Sequence, residues 1–162
     1  VNVSKAIEIA VASSIRENAE LGAKTIVRPW QSLNEDWAFD KTDDRSFPCV
    51  DIRFGAPRFD ENQVTLVCPG VISCFTMAED DVNHQDVSTL FEAVFSVALS
   101  IFRDAIGETS AGLYNEMKAS IETDTESAVH IGGISLEDGD PPGEDNGLNV
   151  IGIGFAVHFS YL

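Results

Sequence analysis

The alternation of apolar and polar positions is clearest near the C-terminal end of the chain. Ile151, Ile153, Phe155, Val157, Phe159 and Tyr161 occupy every second position, which predicts a strand with one face in the core. Its other face, Val150, Gly152, Gly154, Ala156, His158 and Ser160, is mostly small. Such a face is either solvated or lets another backbone or layer come close. A second apolar segment, AVHIGGISL over 128–136, precedes it. Between the two runs SLEDGDPPGEDNG (135–147), with the acids Glu137, Asp138, Asp140, Glu144 and Asp145. Pro141-Pro142-Gly143 and Asn146-Gly147 are turn chemistry, so this stretch is predicted to be the acidic tip of a closing hairpin.

Helical periodicity appears in two places. Ile7, Val11, Ile15 and Ala19 form one stripe over 4–21, with Asn2 or Ser4 to cap the start and Gly22 suited to a left-handed end. The longer helix is predicted over 87–106, capped by Asp86 and ended by Gly107. Leu90, Val94, Val97 and Ile101 form one stripe, and Phe91, Phe95 and Phe102 a second beside it. An arc that wide is covered by sheet on one side and by a helix or another subunit on the next. Leu113, Met117 and Ile121, four apart, predict a second short helix after it.

The remaining apolar runs predict strands. KTIVRPWQ gives a short one stopped by Pro29. FPCVDIRFG alternates Val50, Ile52 and Phe54 against Asp51 and Arg53, as a half-buried strand does. QVTLVCPGVISCFTM is either one long strand with a bulge at Pro69-Gly70 or two short strands with a turn there, because proline donates no hydrogen bond to a ladder. The acidic stretch SLNEDWAFDKTDDRS, with Trp37 and Phe39, is predicted to be a loop folded against the body. Strands and helices are grouped more than alternated. The fold class is therefore α+β: a mostly antiparallel sheet of four to five strands, with the N-terminal helix and the long central helix packed on it, in a single domain over 1–162.

Composition narrows the function. Apolar residues make up 44% of the 162, enough for one core, and no uninterrupted apolar run is long enough to cross a bilayer. Against 10 basic residues stand 27 acids, a net charge of −17 that repels nucleic-acid phosphates and anionic membranes. It reads as solubility or a saline environment, as a surface that must not stick to DNA, or as one that imitates DNA. The odd set Cys49, Cys68 and Cys74 lies in strand-like stretches and reads as buried, reduced thiols made in a cytoplasm.

Candidate chemistry is sparse. Aligned to a calcium loop from Asp138, the acidic stretch has Asp140 third and Gly143 sixth, but Pro142 stands at position five and Asn149 where a bidentate Glu is needed. His130 and His158 lie on the two arms of the predicted hairpin and could hold a metal with a nearby carboxylate, or stand as two polar side chains. No nucleophile elbow, phosphate loop or dinucleotide fingerprint is present, and no basic stripe marks a nucleic-acid surface. Asp43-Asp44 and Glu79-Asp80-Asp81 read as solvated links.

The C-terminal pattern VHIGGISLEDGDPPGEDNGLNVIGIGFAVHFSYL resembles the closing hairpin of tailed-bacteriophage tail-completion proteins, the tail terminators or minor tail proteins of the neck. The shared features are an apolar strand ending in Leu136, an acidic turn, Gly147-Leu148, and a last strand carrying Phe155, Val157 and Phe159. The order of the rest agrees: an N-terminal helix, IVRPW, FPCVDIRF, a long strand and a long apolar helix. The departures are the acidic loop at 36–45 and Pro69-Gly70 in the middle strand.

The resemblance implies a structural virion protein with no enzyme activity, no cofactor and no metal. Such a protein would be made in the host cytoplasm and ring up, as a hexamer, on the head-proximal end of the tail tube. There it would stop tube growth and join the tail to the head connector proteins, while DNA passes through the lumen without specific binding and no membrane is involved. Glu137, Asp138, Asp140, Glu144 and Asp145 would be interface residues. The alternatives are an acidic DNA mimic, against which the scarcity of acids on the predicted helices counts, and a small metal-binding enzyme using His130 and His158.

Overall fold

A computed structural model describes residues 2–32, 47–61, 64–107 and 112–161, with Asp140 described by its backbone only. The predicted loop with Trp37, Phe39 and Asp43-Asp44 lies outside the described residues. In chain order the elements are α1 (Val3–Asn18), β1 (Ile26–Pro29), a 3-10 turn (Trp30–Ser32), β2 (Cys49–Phe54), β3 (Arg58–Phe59), β4 (Leu66–Met77), α2 (Gln85–Ala105), α3 (Leu113–Asp124), β5 (Val129–Asp145) and β6 (Leu148–Tyr161). The class is α+β, as the periodicities predict. The sheet has six strands in the order β1-β2-β4-β6-β5, with β3 paired to β4 beyond the end of β2. It is mixed: β1 runs parallel to β2, and every other pair is antiparallel. A parallel pair of this kind cannot be joined by a tight hairpin.

The core lies between the sheet and the helices. Val50 and Ile52 of β2, Ile72 of β4, and Phe155, Val157 and Phe159 of β6 share the covered face, with Ile7, Val11 and Ile15 of α1 and Val94 and Ile101 of α2 above them. Removing each large side chain of this kind from water contributes roughly 1.5–3 kcal/mol. α3 bridges α1 and α2 and buries Met117 and Ile121. Read by composition instead of as an unbroken run, α2 has the length and mean hydropathy (1.3) to cross a membrane. Its apolar stripe of Val87, Leu90, Val94, Val97, Ala98 and Ile101 is spent on the core.

Pro69-Gly70 makes neither a turn nor a break, and β4 runs through it as one strand. In an antiparallel ladder a residue's N–H and C=O point to the same side. The Pro69 carbonyl accepts the Gly55 N–H at 2.8 Å, just where β2 has ended and β3 has not begun. The missing proline N–H therefore falls in a gap between two partner strands. Gly70 is required sterically, because any Cβ there would collide with the ring of Phe54, its cross-strand partner. That ring lies edge-on to Phe155, Gly70's partner on the other side, with centroids 6.2 Å apart. Two phenylalanines thus close over the space one glycine leaves.

The predicted caps need correction. α1 is capped by Asn2, whose side chain accepts from the Lys5 N–H at 3.0 Å, but it ends at Ala19 in extended conformation and makes no use of Gly22. Asp86 lies inside the first turn of α2 and does not cap it. β2 is also more deeply buried than half: Asp51 is enclosed with Arg28, whose Nε and Nη2 lie 2.7 and 2.6 Å from Oδ1. Arg53 on the same face is exposed and lies 3.7 Å over the Trp30 ring. The three cysteines are buried thiols and form no disulfide. Burial pushes that of Cys68 up to about 12, with the negative charge of Glu8 adding to it, and burial raises Cys74 as well.

Glu8, an acid inside the apolar part of α1, lies on its buried side and is fully enclosed. Its Oε1 accepts the Gln31 N–H at 2.7 Å, and its Oε2 accepts the Gln31 side-chain amide at 2.8 Å and the Phe54 N–H at 3.0 Å. One carboxylate therefore ties α1 to the 3-10 turn and to the end of β2. Glu8→Ala leaves these donors without an acceptor and is expected to lower the unfolding free energy by about 2–4 kcal/mol in urea titration. Glu8→Gln, with one oxygen instead of two, should lose about half as much. A loss within ~0.5 kcal/mol for Glu8→Ala, the range of an ordinary surface substitution, would contradict the role.

Candidate functional site

The acidic segment is not a loop between two strands. β5 continues through it to Asp145, and the turn is the two-residue Asn146-Gly147, both with positive φ (52° and 78°). That is the turn chemistry favoured for a two-residue hairpin. Pro141-Pro142-Gly143 is part of the strand, within irregularities that shift the register between Glu137 and Asp140 and again between Asp140 and Gly143. Prolines are tolerated there because β5 is the last strand of the sheet, where part of the ladder has no partner to satisfy.

The predicted interface residues are accordingly spread along an arm and do not converge on a point. Glu137 pairs with Gly154, Asp140 by its backbone with Gly152, Glu144 with Asn149 and Asp145 with Leu148. The pairings put Glu137 and Asp145 on the face away from the helices, and Glu144 on the helix side. Glu137, Asp138, Glu144 and Asp145 are exposed.

The small face of β6 meets a backbone, and it is the chain's own. A Cβ on Gly154 would lie 3.0 Å from the Glu137 Cβ and 3.1 Å from the Asp138 carbonyl oxygen, and one on Gly139 would collide with the Gly152 carbonyl. Ala156 is fully buried on that face. The bulged arm folds down on β6, and the glycines make room for it. The reading of this face as plain solvated surface is thereby corrected for Gly152, Gly154 and Ala156.

Where the arm bends it forms one wall of an open groove of about 600 Å³, and the N-terminal half of α2 forms the other. Phe91 and Phe95 face it as a stacked pair, centroids 5.7 Å apart and planes 17° apart. Pro141 and Pro142 stand opposite, Ile151 and Ile153 line it as well, and Glu92 is on its lip. Of the second apolar stripe of α2, predicted to meet a helix or another subunit, Phe91 and Phe95 are thus half-covered and line an open site.

The start of α2 is fixed by Asp81. Its carboxylate accepts the N–H groups of Asp86 at 2.9 Å and Val87 at 3.0 Å, the Thr76 hydroxyl at 2.7 Å and the Asn149 amide at 3.2 Å. Asn149 also donates to the Asp81 carbonyl at 2.6 Å, which ties the root of the hairpin to the head of the helix. By its sequence Asp81 reads as part of a solvated link. The nearest signal was an acid six residues before Val87, the first apolar position of the helix.

The histidines go separate ways. His130 Nδ1 lies 3.4 Å from the Glu122 carboxylate, while His158 Nε2 lies 3.2 Å from the Ser135 hydroxyl and its Nδ1 4.0 Å from Asp60. Ser135, His158 and Asp60 have the order of a nucleophile, base and orienting acid, but the second link is too long for a hydrogen bond. Among the described residues no group of three or more His, Cys, Asp or Glu is placed to hold a metal ion. Comparison with protein-family models and with curated proteins finds no match.

Asp81 makes acid stability measurable. Burial alone would raise its pKa; the two backbone N–H groups, the Thr76 hydroxyl and the Asn149 amide outweigh that and hold it at about 2, below its ordinary 3.8. A depressed folded-state pKa contributes stability that is complete above the ordinary value and lost as pH falls through the folded one. Unfolding followed from pH 5 to pH 2 should therefore show a decline below about pH 4 that is shallower in Asp81→Asn. Identical acid limbs in the two proteins would contradict the assignment.

Proposed function

We propose that this chain is a ring-forming structural protein of the tail-terminator type, capping the head-proximal end of a phage tail tube and joining it to the head connector. The observation that carries the reading is the bulged β5–β6 hairpin, whose outer half is acidic and exposed and leans over an aromatic-lined groove on α2. A subunit that joins other proteins needs apolar surface left over after its own core is complete, and Phe91 and Phe95 supply it to a partner protein. A lumen that DNA slides through is served by a surface that repels phosphate, and the net charge of −17 supplies that. In this reading a ring of copies, six by the family resemblance, meets tube protein on one side and connector on the other. It acts within the virion neck and needs no cofactor.

Electron microscopy with mass measurement, on the protein alone and mixed with its tail-tube protein, tests the reading. Rings that cap tubes are the expected result, and a monomer that ignores tubes would contradict it. Deleting the arm would unpair the end of β6, so its part is better tested by neutralising it: Glu137→Gln, Asp138→Asn, Glu144→Gln and Asp145→Asn together. The variant should fold, and head-to-tail joining should fall about tenfold or more, because charges at a contact rim set encounter rate and register. Joining at the normal rate would remove the arm's acids from the interface.

A further inference from the structure

We propose that the groove between α2 and β5 receives a basic amphipathic segment of a partner protein, with two or three apolar side chains buried and Lys or Arg on its flanks. The groove has the chemistry of helix-in-groove recognition: a preformed apolar trough between two walls of fixed secondary structure. Its volume of about 600 Å³ holds a few large side chains and no more. The stacked Phe91 and Phe95 offer their rings to it, and Pro141 and Pro142 make the opposite wall stiff as well as apolar. Rigid aromatic and proline surface costs little entropy to order on binding.

Charge selects the partner. Glu92 is the sole charged residue among the described residues lining the groove, and on the arm that forms the second wall Glu144 is exposed and on the helix side. A segment entering here passes between acids on both walls, so flanking cations gain and flanking anions lose. The same argument disfavours a second copy as occupant. Among the described residues the most exposed large apolar side chains, Val64 (80%), Val82 (75%) and Phe59 (67%), lie close in sequence to Glu61, Asp80 and Asp60, so a second copy offering them to this groove would bring acids to acids. The inference does not depend on the ring reading, which is judged by imaging, and the two fail separately.

Fluorescence anisotropy of a labelled synthetic helical peptide, with Leu on one face and Lys on the other, tests it against the whole chain. A peptide with Glu in place of Lys is the matched probe. The Lys peptide should bind and the Glu peptide should not. Phe91→Ser should weaken binding about tenfold, as loss of a buried aromatic anchor does. Because Phe91→Ser also touches the core edge, Glu92→Lys at the exposed lip is the second variant; it should fold normally and weaken binding by several-fold. Glu79→Gln with Asp80→Asn, elsewhere on the surface, should leave binding unchanged. Equal binding of both peptides would overturn the proposal. So would affinities unaltered by Phe91→Ser and Glu92→Lys, which indicate nonspecific charge attraction. Self-association of the wild type that Phe91→Ser abolishes would overturn it too, by giving the groove to a second copy.

Discussion

The structure depends on the twelve-residue ladder between β4 and β6, unbroken from Leu66 against Phe159 to Met77 against Leu148. Everything else is hung on it: β2, β1 and β3 on the β4 side, β5 on the β6 side, the helices across one face. The constraint is that β4 must pair along its whole length although it contains a proline and a glycine. It does so because Pro69 falls in the gap between β2 and β3, and because Phe54 and Phe155 fill what Gly70 leaves empty. A register slip of one residue would turn these side chains to the other face and leave the core without them.

Polar anchors then fix the helices to this frame. Glu8 holds α1 to the end of β2, and Asp81 with Asn149 holds the head of α2 to the root of the β5–β6 hairpin. The second anchor matters for the surface as well as for stability. It sets the position of the first turn of α2 relative to the hairpin, and the groove is what lies between them further along. The aromatic stripe of α2 and the proline-bearing arm are thereby presented at a fixed spacing without touching enough to close.

Much of this was legible from the chain. The period-two run from Ile151 to Tyr161 and the helical spacing of Leu90, Val94, Val97 and Ile101 placed the last strand and the long helix within a residue or two, because in both the large apolar side chains fall on one face. What was not legible came from partners distant in sequence. Acids and prolines argue locally against a strand, yet the arm extends because β6 is there to pair with. The parallel direction of the β1–β2 pair is not encoded in the periodicity of either strand. Glu8 and Asp81 look like surface acids until their acceptor duties are known. The candidate site was half legible: the acidic segment and the second stripe of α2 were each visible, but only the fold puts them on opposite walls of one groove.

Hydrogen–deuterium exchange on the chain alone and with the proposed tube and connector proteins tests most directly the claim that the arm and the groove are the working surface. Protection gained on assembly should concentrate in residues 88–95 and 137–145, with the β4–β6 ladder equally slow in both states. Protection gained instead around Phe59, Val64 and Tyr161, with 88–95 and 137–145 unchanged, would contradict the account.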